Sequence, residues 1–211
     1  MSDQDDFKLV RPFGPTIVEL KMPKKLVENL NACVNDYDSS TNTHQFRDHG
    51  TQLAGNVSQE IALEKDLVIS TGWLNFLGDN TKRWIHVTMD RTIKKFELHN
   101  TWIVRQFEKE YNPAHIHSGH VSGVGYLKVP QTMGKTVQSE KPINKNGCID
   151  FLHGSPGFLA PAQQTVVPEI GVLYLFPHYL MHTVYPFWGQ GERRSISFNA
   201  SIDNDIYENF G

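Results

Sequence analysis

From Glu97 onward the chain consists of short extended segments separated by turn-forming residues, and this succession limits the folds open to it more than any other feature. β-Branched, aromatic and other apolar residues cluster in 97–107, 114–117, 123–129, 148–152, 165–167, 171–176, 183–184 and 193–202. Strands this short and this closely spaced suit a jelly-roll barrel, in which two antiparallel sheets share one core. The first half reads differently. An opening strand is expected in 13–20, and Pro23 then sits where the first turn of a helix tolerates it. Leu26, Leu30, Val34 and Tyr37, with Val27 and Cys33 beside them, mark an amphipathic helix that stops near Asp38, Ser39 and Ser40. The polar stretch 39–55 reads as a loop. A second helical stretch is expected from about Ser58, with Leu63, Leu67, Leu74 and Leu77 at helical intervals and an end near Gly78, Asp79 and Asn80; 82–95 is assigned as a further helix. The expectation is therefore one domain over 1–211, mainly β with flanking α. Residues 1–96 would supply a strand and supporting helices, and 97–203 a double-stranded β-helix core covered on one face by those helices.

Within that core, His115 and His117 are two residues apart, a spacing that puts both side chains on one face of extended chain. Imidazole suits iron, copper, nickel and zinc, and a third ligand from a distant strand would complete a facial set with open positions. His182 is the candidate, because the apolar run 171–176 meets Pro177 and resumes as a second short extended segment at this histidine. Further on, strict alternation places Arg193, Ser195, Ser197 and Asn199 on one face of a strand and Arg194, Ile196 and Phe198 on the other. The polar face can line a pocket, where the planar fork of arginine binds a carboxylate through two parallel hydrogen bonds and a serine two residues on adds a third. Ile196 and Phe198 would then point toward the covering helices.

The other histidines of the ten carry weaker signals. His120 follows the Ser118-Gly119 turn and reads as a rim residue. His178 precedes His182 by four, a helical ligand spacing, but the Phe176-Pro177 break argues against a helix there. His44, His49, His86, His99 and His153 have no ligand spacing, although His44, Arg47 and His49 could belong to a substrate-covering loop.

A net charge of −3 with scattered lysine and arginine gives no basic stripe, so a nucleic-acid partner is not expected. Cys33 and Cys148 have neither redox nor zinc spacing, which points to a reducing, cytoplasmic setting. The acidic start, Met-Ser-Asp-Gln-Asp-Asp, lacks the order of a secretion signal, and no apolar run reaches membrane-spanning length.

His115-Ile-His117, Ser122-Gly-Val-Gly-Tyr126-Leu127, Gly171-Val-Leu-Tyr-Leu-Phe176-Pro177, His182-Thr-Val and Gly191-Glu-Arg193-Arg-Ser195-Ile-Ser-Phe-Asn199 occur in one order over the second half of the chain. In this the chain resembles the 2-oxoglutarate- and iron(II)-dependent oxygenase superfamily near its prolyl-hydroxylase-like branch, and in particular small members, some of them phage-encoded. The resemblance implies Fe(II) held by His115, His117 and His182, with 2-oxoglutarate and O2 as cosubstrates. Arg193 would pair with the far carboxylate of 2-oxoglutarate, and Tyr126 and Ser195 would complete that clamp. It implies a hydroxylase that couples 2-oxoglutarate decarboxylation to substrate oxidation, with peptidyl proline as the family-level substrate. His117 departs from the superfamily pattern, which usually has Asp or Glu there. Three arrangements follow: a three-histidine site, which is favoured; two histidines with water in the third place; or recruitment of an acid such as Asp150. Three histidines and a water also describe a zinc hydrolase, and a His-x-His barrel also describes a cupin-type metal enzyme or a non-catalytic carboxylate-binding module. Arg193-x-Ser195 after His182 favours the oxygenase. The substrate, a peptide or a small molecule, is not legible; Trp102, Tyr179, Tyr185, Phe187 and Trp188 could frame its groove, and a homodimer is the expected assembly.

Overall fold

In the computed structural model, residues 7–10, 14–39, 54–136 and 143–209 are described. In chain order they form β1 (Phe7–Val10), β2 (Ile17–Lys21), α1 (Lys24–Ser39), β3 (Gln59–Ala62), α2 (Lys65–Ser70), α3 (Trp73–Met89), β4 (Phe96–Gln106), β5 (Asn112–His115) and β6 (Val121–Lys128). There follow β7 (Ile149–Leu152), β8 (Gln163–Val166), β9 (Val172–Pro177), β10 (Met181–Val184), β11 (Arg193–Ile202) and α4 (Asn204–Glu208). The strands pair antiparallel in two sheets, a larger one in the order β1-β2-β9-β6-β11-β4-β3 and a smaller one in the order β5-β10-β7-β8. This is the expected jelly-roll arrangement, mainly β with flanking helices.

Each strand of the large sheet has two jobs because its side chains alternate. One face, with Ile196, Phe198, Leu173 and Leu175, packs beneath Leu26, Leu30 and Val34 of α1 and Trp73 and Leu77 of α3. The other turns Tyr126, Tyr174 and Phe176 toward Phe151 and Val184 of the small sheet. Close packing explains the glycines of Ser122-Gly-Val-Gly-Tyr126: a Cβ on Gly123 would lie 2.6 Å from the Phe198 ring and 2.7 Å from the Tyr174 carbonyl.

The first half departs from expectation in three places. Residues from Ser58 do not start a helix; 59–62 form β3, held by its pairing of Gln59 with Arg105 and Ile61 with Ile103, and the helices begin at Lys65 and Trp73. Gly78-Asp79-Asn80 does not end α3, which runs on to Met89 and stops at Asp90, whose backbone is left-handed (φ 54°) and whose N–H bonds the His86 carbonyl. A helix tolerates an internal glycine at modest cost, and Gly78 faces Phe96. The strand expected at 13–20 forms as Ile17–Lys21, and an unexpected strand, β1 at Phe7–Val10, precedes it. The helix over Leu26, Leu30 and Val34 runs to Ser39. The possible substrate-covering loop with His44, Arg47 and His49 lies outside the described residues.

A buried ion cluster pins the outer face of β11. Glu192 accepts from Arg194 Nε (2.7 Å) and Arg105 Nε (2.8 Å) and meets Lys128 Nζ at 3.2 Å, while Arg105 also donates to Gln59 of β3. These cations hold the Glu192 carboxyl at about 2, against the burial that would raise it.

Candidate metal and cosubstrate site

His115 is the last residue of β5 and lies directly opposite His182 on β10. His117 lies beyond the end of β5, where its backbone N–H bonds the His178 carbonyl. The assigned strand ends between the two, and beyond it the bond to His178 holds His117 beside the segment that leads into β10. The ring centroids of His115 and His182 are 4.3 Å apart, those of His117 and His182 4.9 Å, and those of His115 and His117 5.3 Å. Each ring offers one ligand nitrogen, and the set lies within 4.8 Å.

The Nδ1 atom of every ring is already engaged. His115 Nδ1 is 2.7 Å from the Pro113 carbonyl and His182 Nδ1 is 2.9 Å from the Leu180 carbonyl. A carbonyl only accepts, so both Nδ1 atoms carry the proton and both Nε2 lone pairs face the cluster. His117 Nδ1 sits 2.9 Å from Asn199 Oδ1 and 2.8 Å from Ser122 Oγ. All three imidazoles are held neutral. Burial lowers His115, opposed by its bond to Pro113. Burial and then the neighbouring His115 lower His117 to about 4, and burial with the other two rings puts His182 well below its usual value. Neutral imidazoles with free Nε2 are what a divalent metal requires.

Asp150 is not among this group. Paired with Thr183, it bonds Lys145 (3.1 Å), Tyr185 (2.6 Å) and Gln163. Burial pushes its carboxyl up, but hydrogen bonds from Thr165, Tyr185 and Lys145 outweigh that and lower it.

The histidines share a cavity of about 330 Å³ with Arg193, Ser195, Ser197 and Asn199, the polar face read from the alternation of β11. Arg193 is 1% exposed, and its guanidinium lies over the Tyr126 ring at 5.0 Å. Its Nη1 donates to Gln106 Oε1 at 3.1 Å, with Ser195 Oγ at 3.5 Å. Arg193 Nε, Arg193 Nη2 and the Tyr126 hydroxyl are buried without a hydrogen-bond partner. Burial raises the Tyr126 phenol, the Arg193 charge opposing it, so the hydroxyl keeps its proton. Buried donors are rarely left unmade in folded proteins. Two donors of Arg193, which lines the cavity, and the hydroxyl of Tyr126, whose ring lies under its guanidinium, are thus buried and unsatisfied, a need that a carboxylate of a bound cosubstrate has the chemistry to meet.

Three groups take positioning roles that the sequence did not disclose. Gln106 orients Arg193 and is itself held through Nε2 by the Glu110 and Tyr185 carbonyls. Ser122 and Asn199 lie opposite one another on β6 and β11 and converge on His117. Of the candidate groove aromatics, Trp102 lines the cavity 5.6 Å from His117, whereas Phe187 is wholly buried elsewhere and Tyr185 serves Asp150. Tyr179 lines a separate apolar groove and Trp188 is 41% exposed. His120 accepts from the Ile202 N–H and stacks on Tyr207 at 3.9 Å, and the His178 ring bonds Tyr207, so neither ring joins the cluster.

Residues 100–199 match the family model described as a putative 2OG-Fe(II) oxygenase. A search of curated proteins finds no match. Among solved structures, the chain resembles a prolyl hydroxylase from Trichoplax adhaerens, in complex with a hypoxia inducible factor oxygen degradation domain peptide fragment (13% identity, TM-score 0.57, 97% of this chain and 87% of that one). It also resembles the viral collagen prolyl hydroxylase of Paramecium Bursaria Chlorella virus-1 in its 2OG complex (13%, 0.54, 87% and 94%). A third likeness is to HygX from Streptomyces hygroscopicus with nickel and 2-oxoglutarate bound (12%, 0.54, 86% and 80%). At these identities the likeness is one of fold.

Proposed function

We propose that the chain is a 2-oxoglutarate- and Fe(II)-dependent oxygenase, as the family match over residues 100–199 supports, with His115, His117 and His182 holding its metal and Arg193, Tyr126 and Ser195 its cosubstrate. It is a dioxygenase that uses Fe(II), 2-oxoglutarate and O2. The observation that carries the residue assignment is the pairing, in one cavity, of three convergent neutral imidazoles with a buried guanidinium whose Nε and Nη2 are unpartnered.

When bound, iron with its cosubstrates supplies the oxidation, decarboxylating 2-oxoglutarate to succinate and CO2 and placing one oxygen atom on the substrate. The protein's own residues position and shield. Arg193 and Tyr126 donate to the far carboxylate, fixing one end of the cosubstrate and so the direction of the other. Ser195 adds a hydroxyl to that end. Gln106 holds Nη1 of Arg193, leaving the opposite edge of the guanidinium for the incoming anion. Phe176 and Phe151 cover the His182 ring with apolar surface, and Trp102 packs beside that of His117.

The reaction on the substrate is read as hydroxylation. The remaining cavity wall, with Asn100, Trp102, Asn112 and Ser118, suits a polar substrate, either a small molecule or the side chain of a peptide. A proline-containing peptide is the first to test, since one fold neighbour is a prolyl hydroxylase in complex with a peptide. Cys33 and Cys148, both buried thiols, fit a reducing cytoplasm. Among the described residues no helix is long and apolar enough to cross a membrane.

Substrate-independent turnover tests the site: succinate formed from 2-oxoglutarate, measured for the wild type, His182→Ala and Arg193→Met. His182→Ala should form none, and Arg193→Met should need a much higher 2-oxoglutarate concentration. Full turnover by His182→Ala would sink the metal assignment.

A further inference from the structure

The three candidate ligands differ in what fixes their tautomers. His115 and His182 are locked by backbone carbonyls two residues earlier in their own segments, Pro113 and Leu180. His117 is fixed by side chains from two other strands, Ser122 of β6 and Asn199 of β11. Ser122 and Asn199 are cross-strand partners, 0% and 6% exposed, and the Ser122 hydroxyl donates to Asn199 Oδ1 at 2.9 Å. Hydroxyl, amide oxygen and His117 Nδ1 thus form a closed triangle inside the barrel. With the hydroxyl hydrogen committed to Asn199, both oxygens facing Nδ1 act as acceptors, and the ring proton must sit on Nδ1.

Resting on the three-histidine reading above, we propose that Asn199 and Ser122 are positioning residues that hold the His117 proton on Nδ1 and aim Nε2 at the metal. They let an imidazole stand where the superfamily usually has a carboxylate. A carboxylate presents an electron pair from either oxygen in any rotamer, whereas a neutral imidazole is a ligand through one nitrogen only. Substituting histidine there needs a partner that excludes the other tautomer. His117 lies beyond the end of β5, so its own backbone does not provide one as it does for His115. Two buried polar side chains are costly unless paired, and His117 is what this pair faces. The bond is to a neutral amide, so the ring stays an imidazole rather than gaining imidazolate character, as it would beside a carboxylate.

Cobalt(II) is the probe. In the cobalt-loaded protein, proton NMR in water should show three paramagnetically shifted, solvent-exchangeable imidazole N–H signals, one per ligand. Asn199→Ala should lose or broaden one signal by fast exchange while two persist, and cobalt affinity should fall about 10- to 100-fold. Asn199→Asp, close in shape and still an acceptor, should keep three signals and bind cobalt at least as tightly as the wild type. Ser122→Ala should weaken binding by a smaller factor than Asn199→Ala. A merely structural role would lower thermal stability without singling out one N–H. Three sharp signals and unchanged affinity in both Asn199→Ala and Ser122→Ala would overturn the inference and leave the three-histidine site standing. Only two signals in the wild type would instead remove His117 as a ligand, and the reading beneath the inference with it.

Discussion

Replacing Arg193 with methionine should make the ligand-free protein more stable while greatly weakening its response to 2-oxoglutarate. The guanidinium is 1% exposed, and among the described residues no carboxylate lies within ion-pair distance of it. Its Nε and Nη2 have no partner, and each buried unmade donor costs about 1–3 kcal/mol, so roughly 2–6 kcal/mol is relieved on removal. Against this stand the bond to Gln106 and the contact with the Tyr126 ring, together roughly 2–3 kcal/mol. Methionine fills much of the same space, so the cavity cost stays small. The difference is a net gain of about 2 kcal/mol, which for a chain of this size raises the melting temperature by about 4–8 °C. Adding 2-oxoglutarate should reverse the ranking, since a ligand at a hundred times its Kd stabilises by about 2.7 kcal/mol and the variant has lost the anchor. Thermal unfolding of both proteins, without and with 2-oxoglutarate and anaerobic Fe(II), measures all four states. A ligand-free variant less stable than the wild type, or an equal 2-oxoglutarate shift in both, would refute the reasoning.

Glu192→Ala should cost about 3–5 kcal/mol of unfolding free energy, read by denaturant titration, because it removes the carboxylate that the buried Arg194 and its neighbour Arg105 share. A loss below about 1 kcal/mol would mean that the cluster is solvated. Metal-free protein should lose stability as pH falls from about 6.5. The folded state holds His117 neutral down to about 4 while the unfolded chain takes up a proton near 6.5, so this residue alone removes about 3 kcal/mol between pH 7 and 4. The pH slope should flatten in His117→Gln, and an identical slope in that variant would contradict the assignment.

What the sequence disclosed, and what it hid, follows from the range of the forces involved. The face shared by Arg193, Ser195, Ser197 and Asn199 was legible because alternation along one strand is a local property that β11 keeps over its length up to the register shift after Asn199. The placement of His182 was legible as a strand resuming after Pro177. The short strand β3 was not, since four residues carry too little pattern, and its state is decided by pairing with β4 forty residues on. The length of α3 was obscured for the same reason: Gly78 reads as a stop until Phe96 is seen packed beside it. The positioning roles of Gln106, Ser122 and Asn199 were not legible, although alternation placed Asn199 on the pocket face. Their roles arise only when β4, β6 and β11 bring them against Arg193 and His117.

The most direct test of the account is an anaerobic visible spectrum of the protein with Fe(II), before and after 2-oxoglutarate, beside Arg193→Met. A weak charge-transfer band that needs both components, and is diminished in the variant at limiting cosubstrate, is the predicted result. Iron binding with no band at saturating 2-oxoglutarate would contradict it, because the three histidines would then hold a metal that this cosubstrate does not chelate.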